Sequence, residues 1–123
     1  MPGQKQDIQH KLQLLRQQYA EKLPARITAL EQQWHGLNPD PQSVQYENMI
    51  REFHSLAGSG TSFGFPQITI LSREIENILL GAKATNAQLS DQVKADINTK
   101  LSILQQSASQ EQDSSYEDKQ KET

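Results

Sequence analysis

The stretch "HSLAGSGTSFGF", residues 54–65, sets three glycines and four hydroxyl residues directly behind a histidine, while the apolar spacing on either side is helical. Gly58, Gly60 and Gly64 would each weaken a helix interior by about 0.5–1 kcal/mol relative to alanine. Their clustering points to a backbone surface that another body approaches closely.

Working outward, Tyr46, Met49, Ile50, Phe53, Leu56 and Ala57 recur at three- and four-residue steps, which predicts a helix from about Pro41 or Gln42 into the glycines. At about 100° per residue, His54 lies roughly a quarter turn off this apolar face. Its ring is therefore expected at the surface, with Gly58 one turn further along the same side. "GFP" then breaks the chain, and Ile68, Leu71, Ile75, Ile78 and Leu79 predict the next helix, ending near Gly81. A loop this short makes the two helices antiparallel neighbours.

Upstream, Ile8, Leu12, Leu15 and Tyr19 form one stripe and Leu23, Ile27, Leu30 and Trp34 a second of the same spacing. Proline belongs in the first turn of a helix, so Pro24 is expected near the start of a second segment, with a bend before it. Gly36 and "NPDP" end that segment, where His35 favours the helix dipole. Downstream, Ser90 and Asp91 supply helix-starting side chains before Val93, Ile97, Leu101 and Leu104. The remainder, "SASQEQDSSYEDKQKET", has no aliphatic residue larger than alanine and is expected to be a disordered tail over 107–123. The expected fold is all-α, an antiparallel four-helix bundle with an additional N-terminal helical segment, over residues 1–106. The tail accounts for part of the low mean hydropathy of −0.76.

Composition narrows the function. The chain of 123 residues has no cysteine, so disulfides, thiolate nucleophiles and zinc-thiolate sites are excluded, in keeping with a cytoplasmic setting. Neither a membrane span nor a secretory leader is visible. A net charge of −3 with both signs dispersed lacks the basic footprint of a nucleic-acid binder, and protein partners are expected instead. "GTSFG" at 60–64 matches a hydrolase nucleophile elbow, but that motif needs a preceding strand and a later histidine, and no histidine follows His54. A phosphate-cradling loop would need a different glycine spacing and a lysine. His10, His35 and His54 lack the pairing that marks a metal site.

The stretch "FHSLAGSGTSFGF", with "LSREIENI" behind it, resembles the signature of histidine-containing phosphotransfer (HPt) domains, the relay modules of two-component signalling. His54, Leu56, Gly58, Ser59, Gly60, Phe63 and Gly64 fill its places, and Glu74, Ile75 and Glu76 fill a later one. The resemblance implies a four-helix bundle in which His54 accepts a phosphoryl group from a receiver-domain aspartate and passes it to another receiver. It implies a covalent relay intermediate, not a turnover enzyme, acting as a monomer with response-regulator receivers and a hybrid sensor histidine kinase. No cofactor is expected in the chain itself, because the magnesium ion belongs to the receiver. Ile50, Arg51, Ala57, Gly58, Thr61 and Arg73 are expected to surround the phosphoryl group or form the docking face. Many members carry lysine three residues after the histidine, where this chain has Ala57. Arg51 or Arg73 is the candidate replacement cation. Two alternatives stay open: an adaptor that docks a receiver or kinase without accepting phosphate, which Ala57 suggests, and a helical scaffold, which gains nothing from helix-weakening glycines at one exposed spot.

Overall fold

The computed structural model describes the backbone of residues 2–121 and the side chains of residues 7–110. Four helices, α1 (Pro2–His35), α2 (Val44–Phe63), α3 (Pro66–Ala84) and α4 (Asp91–Lys121), run in antiparallel order, and no strand occurs among the described residues.

The two N-terminal segments expected from the sequence are one helix, with Pro24 in its interior. An interior proline costs about 3 kcal/mol. That cost is offset because Ala20, Leu23, Ile27, Leu30 and Trp34 lie on both sides of Pro24 and are all buried in the same core. Breaking the helix at Pro24 would expose half of that face. Ile8, Leu12 and Leu15 are instead exposed. The end of α2 meets α1 at Arg16 and Tyr19, where Arg16 Nε donates to the Phe63 carbonyl at 3.1 Å and Tyr19 stacks on Phe63 at 4.6 Å. Residues of α1 before Arg16 thus project past the α2–α3 turn.

The loop before α2 is longer than expected. Asp40 holds a turn by accepting from the Gln42 amide, and Ser43, not Pro41 or Gln42, caps the helix by accepting from Tyr46 N–H. Tyr46, Met49, Ile50, Phe53, Leu56 and Ala57 are all buried, as their spacing requires. The buried Tyr46 hydroxyl reaches across to donate to the Leu79 carbonyl at 3.0 Å, which fixes α2 against α3. Burial raises the pKa of this phenol above the ordinary tyrosine value.

The glycines behind His54 do three different things. Gly58 faces open space: a Cβ placed there would meet nothing within 4 Å. Gly60 is where α3 comes closest, since a Cβ there would lie 2.7 Å from Thr69 Oγ1 and 3.1 Å from the Thr69 amide nitrogen. Gly64 ends α2 in the left-handed region at φ 78°, with Gly64 N–H on the Thr61 carbonyl and Phe65 N–H on the Gly60 carbonyl. That pair of bonds is a Schellman cap, for which glycine is the favoured residue. Pro66 then opens α3 at a position where its missing N–H costs nothing. The helix continues to Ala84, about a turn beyond the Gly81 end expected from the sequence.

Asp91 begins α4, and Ser90 Oγ accepts from Val93 N–H. Trp34 Nε1 donates to Asn98 Oδ1 at 2.6 Å and Gln105 Nε2 to Thr28 Oγ1 at 2.7 Å, so α4 runs back along α1. The boundary placed at 106/107 falls inside this helix. Its backbone stays helical to Lys121, and Ala108 is completely buried as part of the core cluster. The side chains of residues 111–123, most of the expected tail, lie outside the described set.

Candidate functional site

His54 sits midway along α2 on the side that faces α3, and its side chain is 78% exposed. Its Nδ1 lies 2.8 Å from Oε2 of Glu76 on α3, a carboxylate that is itself only 13% exposed. Carboxylate oxygens only accept, so Nδ1 carries the proton and donates it. In the neutral ring the lone pair is then on Nε2, at the far edge of an open imidazole. The α2–α3 seam holds this geometry. Thr69 Oγ1 donates to the Ala57 carbonyl at 3.2 Å, Thr61 Oγ1 donates to the same carbonyl at 3.1 Å, and the two hydroxyls are 3.2 Å apart.

An open concavity of about 430 Å³ surrounds the ring, lined by His54, Ala57, Gly58, Arg73, Glu76, Asn77 and Leu80. It exists because α2 contributes only a methyl group and a hydrogen next to the histidine. On α3, Arg73, Glu76, Asn77 and Leu80 recur at three- and four-residue steps, so one helix face supplies the opposite wall.

Of the expected surround, Ala57, Gly58 and Arg73 are brought together with His54, and three residues are not. Ile50 is only 8% exposed and packs in the core; its four-residue spacing from Tyr46 puts it on the buried face, and it does not belong to an exposed docking surface. Arg51 turns back along its own helix to Glu47 at 3.3 Å. Thr61 is exposed but serves the α2–α3 seam and does not line the concavity. Glu76, quoted as part of the motif, was not among the expected site residues. Its spacing of 22 residues from His54 has no meaning in local sequence and becomes a contact only when α3 folds back on α2.

On the α1 side of α2, Arg26 donates to Ser55 Oγ at 3.1 Å and Ser59 Oγ at 3.3 Å, and Ser59 Oγ is 2.8 Å from the Tyr19 hydroxyl. Partial burial raises the Tyr19 pKa, opposed by the Ser59 hydrogen bond and the nearby Arg26 charge. These bonds brace the helix that carries His54. Among the described residues no group of three or more histidine, aspartate or glutamate side chains is placed to hold a metal ion. No helix among them is long and apolar enough to cross a membrane.

A four-helix bundle presenting one oriented, accessible histidine beside small residues has the architecture of a phosphotransfer module. The family model described as the Hpt domain matches residues 14–113, and the chain belongs to that family. Membership carries a phosphotransfer role in two-component systems, in which Hpt domains interact with receiver domains and kinases. Neither a curated protein nor a solved structure gives a match. The family match reaches beyond Gln106 into the part of α4 where Ala108 is buried.

Proposed function

We propose that His54 is the phosphoacceptor of this chain, receiving a phosphoryl group from a receiver-domain aspartyl phosphate and passing it to a second receiver. The observation that carries this is the Nδ1 to Glu76 hydrogen bond on a ring whose other nitrogen is open. In the transfer the Nε2 lone pair forms the N–P bond while the acyl P–O bond breaks, and the aspartate leaves as a carboxylate. The ring keeps its Nδ1 proton and becomes cationic, and the Glu76 carboxylate stabilises that charge. Transfer otherwise depends on alignment, which a helix-borne ring supplies. The receiver brings the magnesium ion. The chain is a carrier, consumed and regenerated in each passage, and acts in the cytoplasm as a monomer.

The test is a phosphoryl label from a phosphorylated receiver that is lost in acid and survives base. His54→Gln should abolish it, whereas His10→Gln and His35→Gln should retain it. A receiver that binds wild type and His54→Gln alike, with neither labelled under conditions in which another Hpt domain is, would establish the adaptor in place of the relay.

A further inference from the structure

A phosphoryl group on Nε2 of His54 would stand at the ring edge opposite the one that Glu76 holds, beside a concavity where α2 offers only Ala57 and Gly58. Phosphoryl transfer is governed by stabilisation of charge on the equatorial oxygens, so a cation at this wall has a direct effect on the rate. The cations around the site are otherwise engaged. Arg51 and Lys83 both approach Glu47, at 3.3 and 3.9 Å. Arg26 is held by Ser55 and Ser59 on the α1 side of α2. Lys100 lies between Asp96 at 2.9 Å and Glu74 at 3.7 Å. Arg73 differs from all of these. Among the described residues it makes no ion pair or side-chain hydrogen bond, and it is the only cationic residue of the concavity that contains His54.

Resting on the phosphoacceptor assignment of His54, we propose that Arg73 is the residue that binds the phosphoryl oxygens during transfer and in the phosphohistidine. Its planar guanidinium can present two N–H donors to two oxygens at once. Glu76, one turn further along α3, holds the opposite edge of the imidazole, so a single helix face both orients the nucleophile and receives the transferred group. The sequence left both Arg51 and Arg73 as candidates; Arg73 lines the concavity that contains His54 and Arg51 does not.

The test loads the full chain with potassium phosphoramidate, which needs no receiver. The Nε2–P bond forms, the donor P–N bond breaks and its nitrogen leaves as ammonia. The initial rate of phosphohistidine formation and its half-life are followed by phosphorus NMR, with helicity and melting temperature as controls. Arg73→Ala should lower the rate about tenfold, less than a buried donor would because the site is open to water and salt. Arg73→Lys should keep most of the rate, and Ala57→Lys added to Arg73→Ala should restore part of it. The wild-type rate should fall with added salt and that of Arg73→Ala should not. A labelled wild type with Arg73→Ala within twofold of it overturns the role of Arg73 alone. A wild type that takes no label at His54 overturns the phosphoacceptor assignment itself.

Discussion

His54 and Glu76 are separated by 22 residues in the chain and by 2.8 Å between Nδ1 and Oε2 in the folded protein. The hydrogen bond selects the tautomer with Nε2 free, and it orients a ring that is otherwise surrounded largely by solvent. Glu76→Ala should lower phosphoryl transfer to His54 about tenfold by losing both the orientation and the charge that stabilises the cationic ring. Glu76→Gln should fall between that variant and wild type, because its amide oxygen can still accept from Nδ1. Melting temperatures should change little, since a side-chain contact with one largely exposed partner contributes about 0–1 kcal/mol. A transfer assay beside thermal denaturation separates the two effects.

Alanine at neighbouring glycines should act in opposite directions. Gly58→Ala adds a methyl to open space on an exposed helix face and should stabilise by about 0.5–1 kcal/mol. Gly60→Ala places a methyl against the Thr69 backbone, where the neighbour cannot turn aside, and should destabilise by about 1–3 kcal/mol. Urea denaturation of both variants reads the sign directly. Gly58→Gln should fold and yet accept phosphate poorly, because its long side chain occupies the approach to His54.

Pro24→Ala should raise stability. The proline lies inside α1 and is retained there against its own preference, so alanine should recover about 1–3 kcal/mol. The check is a higher denaturation midpoint with an unchanged slope.

Trp34 emission should be blue-shifted in the native protein and move to the red in one cooperative transition, since the ring is buried between α1 and α4. Trp34→Phe should cost about 1–2 kcal/mol through the lost bond to Asn98 and the smaller ring. Trp34→Ala should cost about 3–5 kcal/mol. Calorimetry or denaturant titration measures both.

Helix type, most helix positions and the exposed placement of His54 are legible in the sequence, because apolar periodicity states which face of each helix must leave water. The Ser90 cap, the antiparallel α2–α3 pair and the inward set from Tyr46 to Ala57 follow from that local information. What lies between helices depends on their register, which no local pattern encodes. Pro24 signals a break by its own chemistry, and only the core shared by residues on both sides of it makes α1 continuous. The glycines are alike as letters; the approach of Thr69 makes Gly60 a packing residue and leaves Gly58 open. Glu76 and Arg73 acquire their relation to His54 only when α3 folds against α2. Polar groups act over hydrogen-bond distances, and tertiary packing alone brings residues so far apart in the chain to within them.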